Sequence, residues 1–235
     1  QLKVSRCLFT DFDLAVHALS VWIILRGSSD SSILGIPFLG NHMVLILYLL
    51  APLYAVWSSP LLLLHLQTLA LACGSWGIYR LARKELSDGW GLAFAFIYLI
   101  YPPLSYMNLY EFHPIALATP LLIFALYHYR AEQFRAFCGF LLLAMLCQEN
   151  VALITIAFGI YALIERRSAT WIGIPIAAGI VYFVAVVIVI MPRLNPYVQM
   201  YSMYSHLGSS FPEVARNAAL HPGLTLQSMW SEERL

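Results

Sequence analysis

Acidic and histidine side chains recur at the ends of the apolar stretches of this sequence. Asp13 and His42 each precede a short apolar segment. Glu111 and His113 lie two positions apart between longer apolar stretches, and Glu149 occupies a polar turn between two more. A positioned carboxylate or imidazole can move a proton in catalysis, and Glu111 with His113 could also bind a divalent metal. Charged groups near a membrane are costly and usually kept for a function, so these residues form the candidate site.

Each candidate also has an ordinary structural interpretation. Asp13 could be a helix N-cap, because a short carboxylate accepts backbone N–H bonds there, and both roles can coexist. Asp11 is expected to be solvated or a cap. His42 could be an interfacial polar residue, and the loop around Glu111 and His113 an ordinary hydrated loop. Glu149 requires either a basic partner or a role in a transport pathway, because it is a carboxylate at membrane depth.

The composition indicates a membrane protein. Hydrophobic residues make up 61% of the chain and charged residues 11%, far from the balance of a soluble domain. The formal net charge of +1 and the absence of a basic stripe give no sign of nucleic-acid binding. None of the common nucleophile, zinc, P-loop or dinucleotide motifs occurs, so soluble-enzyme catalysis has no support.

Basic residues lie at the opposite ends of the apolar stretches from the candidate site. They are Arg80, Arg83, Lys84, Arg130, Arg135, Arg166 and Arg167. Short loops rich in Lys and Arg stay on the cytoplasmic side of a membrane. The sequence therefore predicts a multi-pass protein of the plasma membrane whose candidate site faces away from the cytoplasm.

The expected fold is an all-α, polytopic bundle of transmembrane helices. Spans are predicted at residues 60–81, 89–104, 115–129, 134–148, 151–165 and 171–191. The 105–114 segment is predicted as an outer loop, and a further amphipathic helix is expected at 212–220. We expect one integral-membrane domain, with an outer region to residue 59, spans at 60–191 and an extracytoplasmic segment from 192. The start at Gln1 suggests a fragment lacking a first span and a C-terminal part.

Two short helices are expected on the outer side before the first span. Residues 14–25 are too short to cross a core of about 30 Å and predict an amphipathic helix lying in the interface. Its apolar face is expected to hold Leu14, Ala18, Val21, Trp22 and Leu25, with His17 and Ser20 off that face. Residues 43–57, interrupted by a proline, predict a re-entrant or juxtamembrane helix.

Several segments together resemble one known family. They are DFDLA (11–15), NHM (41–43), LYLLAPLY (47–54), LHLQTLAL (64–71), IYRLAR (78–83) and YLIYPPLSYMNLYEFHPIALATP (98–120). These segments resemble a family of prokaryotic predicted multi-pass membrane proteins that carry a domain of unknown function. That family is grouped with the GT-C membrane glycosyltransferases, and the resemblance runs from about residue 11 to residue 221.

The GT-C grouping implies a site outside the cytoplasm and a sugar donor linked to polyprenyl phosphate. An acidic residue of the first outer loop is the usual catalytic base, and Asp13 matches it by position. Glu111 and His113 match the outer-loop acid and histidine of the resembled family. Its later motif usually reads Lys-Glu, whereas this chain has Gln148-Glu149.

A glycosyltransferase that uses a lipid-phosphate sugar is therefore the first functional hypothesis. Asp13 would be the base, and His42, Glu111, His113 and Glu149 would bind substrate. Positive charge for the leaving phosphate would come from Arg26, Arg193 or a divalent metal. The alternatives are a transporter or flippase with a polar outer cavity and a membrane scaffold without chemistry. Membrane lipid is an expected partner in every case.

Overall fold

The computed structural model describes residues 12–195, 207–209 and 211–223. These residues are mostly helical, with one short antiparallel ribbon formed by β1 (Asp30–Ser31) and β2 (Ile36–Pro37). The chain divides into two compact units, Gln1–Leu194 and Asn195–Leu235. The predicted all-α class is confirmed.

The first unit contains helices α1 to α10. They are α1 (Phe12–Ile24), α2 (Ile46–Val56), α3 (Pro60–Glu85), α4 (Asp88–Ile100), α5 (Pro102–Tyr110), α6 (Pro114–Arg130), α7 (Phe134–Met145), α8 (Val151–Ile164), α9 (Ala169–Phe183) and α10 (Met191–Leu194). A 3₁₀ turn covers Phe38–Gly40, and a π-helical segment, Val184–Ile190, joins α9 to α10.

Two helical stretches in the described residues are long and apolar enough to cross a membrane. They are α3 and the continuous stretch Ala169–Leu194, each of 26 residues. At about 1.5 Å per residue each reaches about 39 Å, more than the hydrocarbon core of about 30 Å. Helices α4 and α5 make a third candidate if they form one broken span, since they are bent by 44°.

The next three helices are too short to cross a membrane alone, and α7 and α8 are also shorter than predicted. Helix α6 has 17 residues, α7 has 12 and α8 has 14. Their lengths are about 26, 18 and 21 Å, so none crosses a core of about 30 Å alone. The spans predicted at 115–129, 134–148 and 151–165 are therefore helices, but they fail the length criterion for independent crossings.

Part of the predicted outer loop is helical. Helix α5 includes residues 105–110, which were expected to be irregular. The Pro102-Pro103 pair occupies its first turn, where a missing N–H costs nothing and the fixed φ suits a helix. The prolines therefore end α4 and begin α5. Only residues 111–113 separate α5 from α6.

Helix α1 forms as predicted, and three of the five residues assigned to its apolar face are buried, but the buried face differs at the other two and is wider than predicted. Trp22 is 42% exposed and Leu25, just beyond the helix, is 43% exposed, although both were assigned to the apolar face. His17 and Ser20, which were placed off that face, are buried. The helix packs on α2 and α3, so neighbours enclose more of its circumference than a helix lying on a surface would bury.

The helices of the first unit pack in sequential pairs, with α3 against both α4 and α6, α6 against α7, and α8 against α9. The last pair is very close at its two glycines. A Cβ at Gly159 would lie 2.7 Å from the carbonyl oxygen of Ile172, and one at Gly179 would lie 2.7 Å from that of Ala152. Small residues that let helix backbones approach are typical of membrane helix pairs.

A cluster of ion pairs joins the C-terminal ends of α3 and α6 to the end of α8. The Arg130 guanidinium contacts Glu85 Oε2 and Glu165 Oε1, both at 3.0 Å. Arg167 contacts Glu165 at 3.4 Å and Glu132 at 3.3 Å. We call this cluster the basic end.

The second unit contains one described α-helix of its own, α11 (Phe211–Leu220). The Asn217 amide donates to the carbonyl oxygen of Leu207 at 2.7 Å, and Ser209 donates to Glu213. The helix predicted at 212–220 is therefore present. Most of the predicted extracytoplasmic segment between 196 and 210 lies outside the described residues.

Candidate functional site

Asp13 and His113 face each other across the N-terminal ends of α1 and α6. Asp13 lies in the first turn of α1, and His113 is the residue that precedes α6. His113 Nε2 is 3.1 Å from Asp13 Oδ2, and both side chains are partly exposed. His113 Nδ1 lies 3.4 Å from the carbonyl oxygen of Glu111, an acceptor. A ring nitrogen that carries a proton can donate in either contact, because both partner oxygens are acceptors.

Glu111 fixes the start of α1. Its Oε2 accepts the backbone N–H groups of Asp13 at 2.8 Å and Leu14 at 3.0 Å, and the residue is only 2% exposed. The first N–H groups of a helix have no partner inside the helix, and a carboxylate there also faces the positive end of its dipole. Glu111 therefore holds α1, and with it Asp13, against the segment that carries His113.

Gln67 on α3 holds that segment from the other side. Its Nε2 donates to the carbonyl oxygens of Met107 at 3.2 Å and Glu111 at 3.0 Å, and its Oε1 accepts the His113 N–H at 2.9 Å. Gln67 is completely buried, so these bonds satisfy backbone groups that water does not reach. Sequence reasoning missed this residue. A glutamine inside the apolar LHLQTLAL segment was the available signal.

Glu149 and His42 form a second carboxylate–imidazole pair. His42 Nδ1 lies 2.9 Å from Glu149 Oε1, and Glu149 Oε2 accepts the Met43 N–H at 2.9 Å. Glu149 is 2% exposed, so the basic partner required for a carboxylate in this position is His42. The turn that carries Glu149 is therefore tied to the segment preceding α2.

The pair shifts the pKa of both members. The hydrogen bond from Glu149 is the largest cause that raises the pKa of His42, and it outweighs burial. Burial acts to raise the pKa of Glu149. The hydrogen bond and charge of His42, with the Met43 N–H, outweigh it and hold that pKa below its ordinary value. Both groups are therefore stabilised in their charged forms.

The two pairs open onto one polar cavity of about 200 Å³. Asp13, His113 and His42 line it, while Glu111 and Glu149 are buried behind them. The other lining residues are His17, Asn41, Val44, Pro114, Ile115 and Gln148. The structure thus brings the candidate residues of the sequence together around one space.

Gln148, which replaces the lysine of the resembled motif, also lines this cavity. Its Nε2 lies 3.2 Å from His42 Nδ1. The charge pairing that a lysine beside Glu149 would supply is made here by His42, which comes from a different part of the chain. Gln148 adds a neutral amide to the cavity wall.

An apolar groove of about 430 Å³ adjoins the polar cavity. His113 and Ile115 line both spaces. The groove is otherwise lined by residues of α5 and α6, namely Tyr106, Met107, Tyr110 and Thr119. The Tyr110 ring stacks on His113 with ring centroids 5.5 Å apart, at the boundary between the two spaces.

The expected cations lie elsewhere. Arg26 stacks on Trp22, with its guanidinium carbon 3.2 Å from the ring centroid, and neither Arg26 nor Arg193 is among the described residues that line the cavity. The positive charge nearest the site comes from the imidazoles. No group of three or more His, Cys, Asp or Glu side chains within the described ranges is arranged to hold a metal ion. Glu111 and His113, the expected metal ligands, instead bond to α1 and to Asp13.

Comparison with known proteins gives a family match. No curated protein and no solved structure matches the chain. One family model, described as a predicted membrane protein (DUF2079), matches residues 4–235. That match covers nearly the whole chain and agrees with the apolar helices described above. The chain therefore belongs to the DUF2079 family of predicted membrane proteins, a multi-pass family of unknown function.

Proposed function

We propose that this protein is a membrane glycosyltransferase of the GT-C type. It would move a sugar from a polyprenyl-phosphate carrier to an acceptor hydroxyl. One observation carries the proposal, namely that the polar cavity with the Asp13–His113 pair adjoins an apolar groove and shares His113 and Ile115 with it. A lipid-linked sugar has two matching parts, since its polar head is joined to a hydrocarbon chain.

Asp13 is the proposed base. As the acceptor oxygen bonds to the anomeric carbon, its proton passes to the Asp13 carboxylate. The bond from the anomeric carbon to the phosphate oxygen breaks, and the lipid phosphate leaves with the electron pair. A base must lie within hydrogen-bond reach of the proton it takes, and Asp13 lines the cavity with a side chain that is 40% exposed.

His113 and Glu111 are proposed to position that base. Glu111 fixes the backbone of Asp13, and His113 holds its Oδ2 at 3.1 Å. His42, whose positive charge is maintained by Glu149, is the proposed electrostatic partner of the leaving phosphate. His42 thus takes the role of phosphate partner that the sequence had suggested for Arg26 or Arg193.

The proposed site lies on the extracytoplasmic face of the plasma membrane. Arg130 and Arg167 belong to the basic end, whereas Asp13 and His113 lie at the N-terminal ends of α1 and α6. Short basic loops favour the cytoplasmic side. Labelling of single cysteines should therefore reach the exposed position 109 from outside and the exposed position 166 from the cytoplasm. Labelling in the reverse sense would contradict the proposed orientation.

The catalytic test compares Asp13→Asn with Asp30→Asn in protein reconstituted with polyprenyl-phosphate sugars. Asp30 is an exposed residue of β1, so it is a matched control for removing one carboxylate. Asp13→Asn should lower transfer by about 10²- to 10⁴-fold, the usual effect of losing a positioned base. Asp30→Asn should transfer normally. Full turnover by Asp13→Asn would reduce Asp13 to a structural residue.

A transporter or flippase is the second candidate, and the Glu149–His42 pair favours it. Buried pairs of ionisable groups carry protons in many membrane carriers. Vesicles with wild type and Glu149→Gln should be assayed side by side for sugar transfer and for uptake driven by a pH gradient. The carrier proposal would replace the transferase proposal if wild type shows gradient-driven uptake but no sugar transfer, and if Glu149→Gln abolishes that uptake.

A further inference from the structure

His17 is a cavity residue with no role in the chemistry described so far. It follows Asp13 by about one turn of α1 and lines the same polar cavity. The residue is 7% exposed, so more than nine-tenths of it is enclosed by protein. Its ring packs edge-on against Phe112, with centroids 5.7 Å apart, which fixes the orientation of the ring.

One polar atom of this ring is not used by the part of the chain that the structure describes. Nδ1 is buried and has no hydrogen-bond partner among the described residues. The nearby Ser20 hydroxyl is already committed to the carbonyl oxygen of Val16 at 2.7 Å. Buried polar groups in proteins are nearly always paired, so a cavity-lining imidazole whose Nδ1 has no partner is unusual.

His17 is uncharged. Burial, together with the charges of His113 and His42, lowers its pKa to about 3, against an opposing effect of Glu111. A neutral imidazole has one donor nitrogen and one acceptor nitrogen. Because an unpaired buried N–H is rarer than an unpaired acceptor, the proton belongs on Nε2. Nδ1 is enclosed by protein, so the edge left to meet the cavity carries this Nε2–H donor.

The charges around His17 favour a neutral group at its position in the cavity. Each carboxylate near the cavity has its own imidazole, Asp13 with His113 and Glu149 with His42. The lining residues in the described part of the chain include no Lys or Arg. Asn41 and Gln148 add neutral amides that can donate to or accept from hydroxyl groups.

We propose that His17 is the recognition residue for one uncharged, hydroxyl-bearing ring, a single sugar unit. Its Nε2–H would donate to a ligand hydroxyl. The volume of about 200 Å³ is that of roughly seven waters at ~30 Å³ each, enough for one such ring and not for a chain of them. This inference rests on the proposed function for its choice of sugar and assigns that sugar to the polar cavity.

The direct test is an NMR titration of the full chain, labelled with ¹⁵N-histidine, in lipid nanodiscs. The probes are a panel of methyl glycosides and, separately, inorganic phosphate. The His17 nitrogens should show the neutral Nε2–H form from pH 5.5 to 7.5 and should shift saturably with at least one glycoside. A response to phosphate alone, or no response to any glycoside, overturns the proposal. Wild-type protein suffices, so no variant has to fold.

Variants then test the direction of the hydrogen bond. His17→Gln keeps a donor near the Nε2 position and should bind the responding glycoside within about 3-fold of wild type, whereas His17→Leu should weaken binding by about 10-fold or more. His65→Leu is the control, because His65 is exposed and contacts Trp57 and Leu61 away from the cavity. Equal binding by His17→Leu and wild type would contradict the assigned contact.

The outcomes separate this inference from the transferase proposal. If sugar transfer depends on Asp13 but no glycoside shifts the His17 signal, the transferase proposal is supported and the assignment of the sugar to His17 is wrong. Glycoside binding at His17 without transfer by wild type leaves the binding site standing and removes the reaction.

Discussion

The two ends of the helical unit treat their charges in different ways. At the basic end, Arg130 and Arg167 share carboxylate partners, and Glu132 is 76% exposed. At the cavity, Glu111 and Glu149 are each 2% exposed and depend on a few neutral or imidazole donors. The basic end is a network in which Glu165 and the two arginines have more than one partner, whereas at the cavity Glu111 and Glu149 are enclosed carboxylates with few alternative partners.

This difference predicts where a single substitution matters. An exposed ion pair contributes about 0–1 kcal/mol, since water and salt screen it and neighbours can replace it. Breaking a buried pair costs about 3–5 kcal/mol, because the remaining group is left enclosed without a partner. The cavity end should therefore be sensitive and the basic end tolerant, although both are rich in charge.

The largest effect should come from Glu149→Ala. It removes the partner of His42 and leaves the Met43 N–H unpaired. The free energy of unfolding, measured in detergent micelles, should fall by about 3 kcal/mol, the upper end of the cost of a buried N–H that loses a charged acceptor, because His42 is 43% exposed and can reach water. Glu149→Gln keeps an acceptor for Met43 and should lose less. Equal and small losses for both variants would show that the buried pair is no stronger than the exposed ones.

Gln67→Leu should have the next largest effect. Leucine has a similar side-chain volume, but it cannot make the hydrogen bonds to the His113 N–H and to the carbonyl oxygens of Glu111 and Met107. Unpaired buried groups of this kind cost about 1–3 kcal/mol. Thr68→Val, at the neighbouring exposed position, is the matched control and should change unfolding by no more than about 0.5 kcal/mol. A Gln67 variant as stable as the control would mean that water replaces the lost bonds.

Acid should weaken the cavity end through His17. The folded-state pKa of His17 is lowered to about 3, so its contribution to stability is complete above pH 6.5. It is lost as the pH falls from 6.5 towards 3, because only the unfolded chain takes up the proton. The loss approaches roughly 1.4 kcal/mol per pH unit.

His42 has the opposite sign. Its pKa is raised, so the stability that it contributes is present below pH 6.5 and is lost as the pH rises through the folded value.

The His17 prediction is tested by comparing the unfolding free energies of wild type and His17→Gln at pH 7.5, 6.5 and 5.5. The variant should gain on wild type as the pH falls. A constant difference would mean that His17 titrates normally in the fold.

The sequence allowed the cavity residues to be chosen but not paired. Polar residues at the ends of apolar runs pointed to Asp13, Glu111, His113 and Glu149. The contact between Glu149 and His42 joins residues 107 positions apart, and no local pattern encodes such a contact. His17 was set aside because a single apolar stripe was assumed for α1, whereas the packed helix is enclosed on several sides.

Local sequence patterns predicted which segments form helices. They did not predict how many of these helices cross the membrane. Apolar runs and prolines predicted α3, α6 and α8, since burial of backbone polar groups favours helices wherever the chain is apolar. Whether a helix of 14 residues, such as α8, crosses a membrane depends on the local core thickness and on its neighbours. Those are properties of the assembled bundle.

The smallest effect is expected at the basic end, for Glu132→Ala. Glu132 has one partner, Arg167, which also contacts Glu165 at 3.4 Å and lies over the Tyr129 ring. The arginine therefore keeps its other contacts when the 76% exposed carboxylate is removed.

Glu132 also has a φ of 58°, a left-handed conformation that disfavours most residues, so Glu132→Asn is a useful companion variant. Unfolding should change by less than about 1 kcal/mol for the alanine variant, with the asparagine variant closer to wild type. High salt should leave the difference between wild type and Glu132→Asn almost unchanged, because so little of it is electrostatic. A loss for Glu132→Ala as large as that for Glu149→Ala would mean that burial does not separate the two ends.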